Sequence, residues 1–151
     1  MVTAVSDKYR VILWGPGSIG SELLTAIIDH RDDLEIVGVR VYSDAKNGVD
    51  AGTLVDREPI GVAATTDVDA IVALDADCVI YTPRNGDLDD VCRLLASGKN
   101  VATTVFLFYP PRLPDADRER LAAACREGDS TFHASGINPG NLSGVLPLAL
   151  E

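Results

Sequence analysis

The sequence Arg10-Val-Ile-Leu-Trp-Gly-Pro-Gly-Ser-Ile-Gly20 joins a short apolar run to a turn of the form G-x-G-x-x-G. The apolar run, which is rich in β-branched and aromatic residues, predicts a buried strand over residues 10–14. Beyond the turn, apolar residues recur with the 3.6-residue period of a helix, which predicts a helix over residues 18–30. The inward face of this helix is expected to consist of Ile19, Leu23, Ala26 and Ile27.

Each glycine of this turn has a different predicted task. Gly15 allows the tight turn, Gly17 leaves room for a pyrophosphate, and Gly20 lets the helix pack closely on the strand. Backbone N–H groups at the helix start, aided by the helix dipole, can bind phosphate oxygens without a cationic side chain. We therefore predict a dinucleotide site whose cofactor-binding residues include Gly15, Pro16, Gly17, Ser18, Ile19 and Gly20. The alternative is an ordinary strand–turn–helix corner.

The rest of the chain alternates β-type runs with stretches of helical period, which is typical of parallel βαβ units. The predicted fold class is α/β, a Rossmann-type doubly wound parallel sheet with helices on both faces. Further strands are predicted over residues 35–42, 61–64, 78–81, 100–103 and 130–134. Further helices are predicted over residues 67–74 with Thr66 as cap, 87–97 ended by Gly98, and 114–127 ended by Gly128. An irregular loop is predicted over residues 106–113, and a last helix from Gly140.

The end of the second strand bears on the choice of cofactor. Domains that prefer NAD place a carboxylate there, about 20 residues beyond the glycine turn. In this sequence the position is Arg40, which together with Ser43 and Lys46 is suited to hold the 2′-phosphate of NADP(H). NADP(H) is therefore favoured over NAD(H). Two alternatives stay open, namely that Arg40 is a solvated strand residue and that Asp44 contacts the ribose.

The nicotinamide half is expected at the carboxyl ends of the fourth and fifth strands, because ligands of open α/β sheets lie in that crevice. The candidate residues are Thr82, Pro83 and Arg84 after the fourth strand, and Thr103 and Thr104 after the fifth. Their hydroxyl and backbone groups suit an amide and a ribose. The alternative is that the threonines only end their strands. His133, near the same crevice, is interpreted as structural.

Composition limits the remaining possibilities. A chain of 151 residues with 46% hydrophobic residues suits one domain with its own core. A net charge of −10 with singly scattered basic residues argues against nucleic acid as a partner. The three cysteines lack the spacing of a disulfide framework or a zinc site, so we predict a cytoplasmic location and no metal. No apolar run approaches the ~20 residues of a membrane span, so no membrane partner is predicted.

Five stretches together resemble a known family. They are Gly15–Gly20, Asn47-Gly-Val-Asp-Ala-Gly52, Asp77-Cys-Val-Ile-Tyr-Thr-Pro83, Leu95-Ala-Ser-Gly-Lys-Asn-Val101 and Ser135-Gly-Ile-Asn-Pro-Gly140. The chain resembles the N-terminal NAD(P)-binding domain of dihydrodipicolinate reductase-like proteins. Within that group it is most similar to the branch of diaminopentanoate dehydrogenase and related amine dehydrogenases. The resemblance implies hydride transfer between nicotinamide and a C=N or C=O substrate.

The same resemblance implies a domain organisation. Residues 1–140 would form the dinucleotide-binding domain, and residues 141–151 would begin a helix that connects to a substrate domain absent from this chain. In this family the second domain binds the small-molecule substrate and supports oligomerisation. We therefore expect a homo-oligomeric protein of which this chain alone is an incomplete, inactive fragment. Asn138 is implied as a contact of the cofactor or substrate, and a turn-forming asparagine is the alternative.

The segment after the fifth strand departs from the family pattern. The resemblance implies a carboxylate at this place in several amine-forming relatives. This sequence instead has Thr103-Thr-Val-Phe-Leu-Phe108, which contains no acidic residue. No catalytic residue is therefore assigned, and the substrate stays open. The alternative function is a non-catalytic dinucleotide-binding sensor or regulatory module.

Overall fold

The computed structural model describes residues 8–105 and 113–136 of the chain. Within them lie six strands and four helices. The strands are β1 (Tyr9–Trp14), β2 (Leu34–Arg40), β3 (Ala64–Thr65), β4 (Cys78–Tyr81), β5 (Asn100–Thr103) and β6 (Phe132–Ala134). The helices are α1 (Ser18–His30), α2 (Val68–Ala73), α3 (Leu88–Ala96) and α4 (Asp115–Gly128). Two short 3-10 turns, Asp44–Lys46 and Thr53–Val55, lie between β2 and β3.

The six strands form one sheet in which every pair of neighbours is parallel. Their order is β3-β2-β1-β4-β5-β6, so the chain winds outward from β1 in both directions. This order is that of a doubly wound dinucleotide-binding sheet, and it confirms the predicted Rossmann-type fold. In the part of the chain that the structure describes, no helix is both long and apolar enough to cross a membrane.

β1 separates two apolar cores, one on each face of the sheet. Ile12 and Trp14 belong to the core that α2, α3 and α4 cover, whereas Val11 and Leu13 belong to the core beneath α1. All four side chains are buried. A strand covered on both faces needs apolar residues at successive positions, which explains why this run does not alternate with polar residues.

α1 begins and ends where the sequence predicts, but its inward face is rotated from the predicted one. Ile19 and Ala26 are exposed, whereas Gly20, Leu24 and Ile27 are buried. Gly20 lies against the carbonyl of Gly15 and the hydroxyl of Thr82, and positions four and seven residues further along lie on the same side of the helix. The closest backbone contact therefore sets the rotation of α1.

The cap of α2 differs from the prediction. The Asp67 carboxylate accepts the N–H of Ala70 at 3.0 Å, so Asp67 caps the helix and Thr66 does not. The N–H of Thr66 donates instead to Oδ1 of Asn47, also at 3.0 Å. Thr66 therefore fixes the loop that precedes β3 rather than the helix that follows it.

The residue that ends α4 also differs from the predicted one, Gly128. Gly128 is the last residue of the helix, and the left-handed residue that ends it is Asp129, with a φ of 48°. A Cβ on Gly128 would lie 1.9 Å from the carbonyl oxygen of Leu95. The glycine is therefore needed where the ends of α3 and α4 touch, and not for helix termination.

The bounds of the other strands and helices match the predicted ones or differ from them by a few residues. β4 and β5 have the predicted bounds, and Gly98 follows α3 with the predicted left-handed conformation, at a φ of 89°. β2 ends at Arg40, β3 begins only at Ala64, and β6 begins only at Phe132. Most of the predicted loop over residues 106–113 and the predicted helix from Gly140, with the connecting segment 141–151, lie outside the described residues.

The loop between β2 and β3 is held by Asp50. Its carboxylate accepts the N–H groups of Gly52, Ile60 and Gly61 at 2.8, 3.0 and 2.8 Å. Desolvation by itself would raise the pKa of this carboxyl, but these N–H groups and that of Thr53 favour the charged form, and the net pKa is lowered. Asp50 is thus the anchor of the loop that follows the carboxyl end of β2.

Asp50→Ala is expected to lower the melting temperature at neutral pH, because several backbone donors lose one shared acceptor. Folding lowers the Asp50 pKa, so the carboxylate stabilises the fold above about pH 4 and loses this effect as the pH falls through the folded-state pKa. Thermal melts of the wild type and Asp50→Ala should therefore converge in acid. The control is Asp32→Ala in the exposed turn after α1. Equal melting temperatures at neutral pH would contradict this role of Asp50.

Candidate dinucleotide-binding site

A cleft of about 230 Å³ lies at the carboxyl ends of β1, β2 and β4. The glycine turn forms its floor, and the segments after β2 and β4 form its walls. The described residues that line it are Gly15, Pro16, Gly17, Val41, Tyr42, Ser43, Lys46, Thr82, Pro83 and Arg84. This set includes two cations and no acidic residue, so the cleft suits an anion despite the net charge of −10.

Gly15 makes the sharp turn at the end of β1. Its φ of 85° lies in the left-handed region, which favours glycine. A Cβ at this position would also lie 3.0 Å from Cα of Pro83. The Gly15 N–H donates to the carbonyl of Arg40 at 3.0 Å, which joins the turn to the end of β2.

Gly20 allows α1 to lie directly against this turn. A Cβ here would lie 2.4 Å from the carbonyl oxygen of Gly15 and 2.7 Å from Oγ1 of Thr82. Thr82 is itself buried, and its hydroxyl donates to the carbonyls of Trp14 and Gly15 at 3.3 and 3.2 Å. The Thr82 hydroxyl therefore ties β4 to the glycine turn.

Gly17, unlike Gly20, has open space around it. It is the N-cap residue of α1, it is exposed, and a Cβ built on it would meet no atom within 4 Å. The N–H groups of Ser18 and Ile19, in the first helical turn, have no hydrogen-bond partner among the described residues. Free first-turn donors beside an open glycine are the arrangement that a phosphate group needs.

The wall after β2 presents Ser43 and Lys46 to the cleft. Both residues are exposed, and they belong to the short turn that follows the strand. Asp44, the alternative ribose contact, is exposed but is not among the described residues that line the cleft. Pro83 and Arg84, which the sequence assigned to the nicotinamide half, line this same cleft from the side of β4.

Arg40 lies behind the β2 wall and is not among the described residues that line the cleft. Its Cζ atom lies 4.0 Å from the ring centroid of Tyr42 and 5.5 Å from that of Trp14. Nη1 of Arg40 donates to the Val41 carbonyl, and Nε is buried without a hydrogen-bond partner in the described part of the chain. Desolvation raises the pKa of the Asp90 carboxyl in α3, and the Arg40 charge opposes that shift.

A second, more open cleft lies at the carboxyl ends of β4, β5 and β6, on the face of α1. It encloses about 360 Å³, and its described lining residues are Leu23, Ile80, Thr82, Ala102, Thr103, Thr104, His133, Ser135 and Gly136. The Thr103 hydroxyl donates to the Tyr81 carbonyl at 2.7 Å and accepts the Val105 N–H at 3.0 Å. Thr103 and Thr82 therefore use their hydroxyls to join neighbouring strands, whereas Thr104 is exposed.

Sequence reasoning missed Tyr42, because it was treated as the last residue of the second strand. β2 ends at Arg40, and Tyr42 follows it as a cleft residue with 57% of its surface exposed. The available signal was a large aromatic residue two positions beyond the residue expected to contact the ribose. Asn138, the remaining predicted contact, lies outside the described residues.

Comparison with known proteins confirms the predicted resemblance. No family model matches the chain. It is 34% identical over 149 residues to an amine dehydrogenase from Streptomyces virginiae, a match that covers 93% of this chain and 41% of that protein. The solved structure of an amine dehydrogenase from Mycobacterium smegmatis superposes with a TM-score of 0.74 at 23% identity, over 85% of this chain and 39% of that one.

Other dehydrogenases and reductases share the fold. Homoserine dehydrogenase from S. aureus matches with a TM-score of 0.61 at 20% identity, over 84% of this chain and 32% of that one. A biliverdin reductase from a Synechocystis species, solved with biliverdin and NADP⁺, matches with a TM-score of 0.64 at 22% identity, over 91% of this chain and 40% of its own. The chain thus has the Rossmann-type fold of oxidoreductases, and it spans 41% of the length of its curated amine dehydrogenase relative.

Substitution of Gly20 and of Gly17 is expected to lower stability by different amounts. Gly20→Ala is expected to lower the free energy of unfolding by about 1–3 kcal/mol, because the new methyl group meets backbone on the turn. Gly17→Ala is the matched control, and it should cost less than about 1 kcal/mol because its Cβ enters open space. Denaturant unfolding measures both. An equal loss of unfolding free energy in the two variants would contradict the close packing of α1 on the turn at Gly20.

Proposed function

We propose that this chain binds NADP(H) or NAD(H) in the cleft at the glycine turn, as the cofactor-binding part of an oxidoreductase. The similarity to an amine dehydrogenase supports hydride transfer between nicotinamide and a C=N or C=O carbon as the reaction. When bound, the cofactor would supply the hydride from C4 of its nicotinamide ring. The contribution of this chain is to bind and orient the cofactor.

The observation that carries the proposal is the open space at Gly17 beside the N–H groups of Ser18 and Ile19, which have no partner within residues 8–105 and 113–136. These groups are suited to bind the pyrophosphate, while Gly15 and Gly20 only shape the turn. The adenosine half would then lie in the cleft between the segments after β2 and β4. The nicotinamide half would continue toward the second cleft, where Thr104 is exposed.

We propose that NADP(H) is the favoured cofactor and that Lys46 and Ser43 hold its 2′-phosphate. Both side chains line the cleft on the side of β2, where the adenosine ribose lies in such domains. Arg40, the residue that motivated this preference, stacks on Tyr42 and is not among the described residues that line the cleft. Asp44 is exposed in the same turn, so a weaker affinity for NAD(H) is compatible with the geometry.

A second candidate function is a non-catalytic module that binds the dinucleotide. It is favoured by the absence of an acidic residue from positions 103–108, where the family resemblance implies a carboxylate in several relatives. The two candidate functions differ in whether NADPH is consumed. A chain assembled with its substrate-binding part would oxidise NADPH when given a ketone and ammonia, whereas the module would bind NADPH without consuming it.

Calorimetric titration of the chain with NADPH should show binding, and Gly17→Val should weaken it by about 10- to 100-fold. This range corresponds to the roughly 1–3 kcal/mol of forcing a side chain into a filled site. The thermal unfolding of Gly17→Val should stay close to that of the wild type, because the added atoms enter open space. No heat of binding by the folded wild type with either nucleotide would overturn the proposed function.

Lys46→Met should weaken NADPH binding by about tenfold, the equivalent of roughly 1.5 kcal/mol for a lost charge-assisted hydrogen bond, and leave NADH binding unchanged. Lys8→Met, which removes an exposed lysine just before β1, is the matched control for the loss of one positive charge. Titrations of both variants with both nucleotides measure the effect. Equal weakening of NADPH and NADH binding by Lys46→Met would count against 2′-phosphate recognition by this residue.

A further inference from the structure

The Tyr42 ring is exposed, and yet it is held in place by two contacts. Nε1 of Trp14 donates to the Tyr42 hydroxyl at 3.0 Å. The guanidinium of Arg40 lies over the ring, with Cζ 4.0 Å from its centroid. Trp14 is fully buried in the core, so this hydrogen bond anchors an exposed loop residue to the central strand. A side chain fixed in this way loses little further freedom when a ligand binds.

One face of this ring remains available to a ligand. Arg40 covers one face, while 57% of the residue is exposed and it lines the cleft. A cation over one face draws on the negative potential of the ring, which leaves the opposite face better suited to an electron-rich aromatic partner. The ligand chemistry that fits such a face is a flat, nitrogen-rich heterocycle such as a purine.

The position of Tyr42 selects one end of a dinucleotide. Tyr42 follows β2, whereas β5 and β6 lie on the other side of β1. With a pyrophosphate at Gly17, the half of the ligand on the β2 side is the adenosine. Arg84 lines the same cleft from the segment after β4, on the far side of β1 from Tyr42.

We propose that Tyr42 is the platform on which the adenine of the cofactor stacks, and that Arg40 is a positioning residue that acts through Tyr42. Tyr42, Arg40 and Trp14 together form this Tyr42 platform. The inference rests on the proposed function, because it assigns the adenine subsite of that same cleft. It gives Arg40 a role that is independent of the 2′-phosphate, since its guanidinium is stacked on Tyr42 and bonded to the Val41 carbonyl.

Tyr42→Ala tests the platform directly. It should weaken binding of NADPH, NADH and ADP by the same factor, about 5- to 150-fold, which is the loss usual for removal of one stacking partner of a base. Binding of reduced nicotinamide mononucleotide, which has no adenine, should not change. Tyr9→Ala is the matched control, because Tyr9 is 64% exposed at the opposite end of β1.

Two further variants separate the parts of the platform. Tyr42→Phe keeps the ring face but loses the bond from Trp14, and it should weaken binding less than Tyr42→Ala. Arg40→Met should weaken NADPH and NADH equally if Arg40 acts through Tyr42. A loss confined to NADPH would instead make Arg40 a direct 2′-phosphate contact, and that half of the proposal would be overturned.

Trp14 provides a spectroscopic signal for the same contact, because it is the single tryptophan of the sequence. ADP, which does not fluoresce in the tryptophan range, should change the Trp14 emission in the wild type and not in Tyr42→Ala. Unchanged nucleotide affinity in Tyr42→Ala would overturn the platform, for instance in favour of Tyr42 as a protein contact. The proposed function would still stand in that case if Gly17→Val weakens binding, and it would fall together with the platform if the folded wild type binds no nucleotide.

Discussion

At Gly20, a Cβ atom would lie 2.4 Å from the carbonyl oxygen of Gly15, so the first turn of α1 lies directly against the turn that precedes it. This contact sets both the distance and the rotation of α1 over the sheet, and it places Leu24 and Ile27 in the core. It also directs the open end of the helix, at Gly17, toward the cleft. The helix dipole and the free N–H groups are useful to an anion only in this orientation.

The polar side chains around this contact form hydrogen bonds to backbone groups. The hydroxyls of Thr82 and Thr103 donate to carbonyls of neighbouring strands, and the Tyr81 hydroxyl accepts the N–H of Asp87, the residue that caps α3. Desolvation raises the pKa of the Tyr81 hydroxyl, which therefore stays neutral in its buried position. Strand ends tied together in this way have little backbone freedom left to lose on binding.

The charge of the cleft differs from that of the whole protein, which has a net charge of −10. Several of the described aspartates lie in surface ion pairs, such as Asp29 with Arg57. The described lining of the cleft carries Lys46 and Arg84 and no carboxylate. Local backbone dipoles and two cations decide the potential inside the cleft, because the charges of the outer surface are screened by solvent and salt over such distances.

The sequence by itself determined the alternation of strands and helices, the doubly wound fold class, and the need for glycine at Gly15 and Gly20, where the structure shows close backbone contacts. These features follow from short-range rules, since hydrophobic period and turn chemistry are encoded in neighbouring residues. Only the tertiary structure decided that Lys46 faces the cleft while Arg40 stacks behind Tyr42. The direction of a long side chain depends on partners distant in the sequence: Trp14 holds Tyr42 from 28 positions away, and no local pattern encodes that bond. The same reason explains Gly128, whose need for glycine arises from Leu95 on another helix.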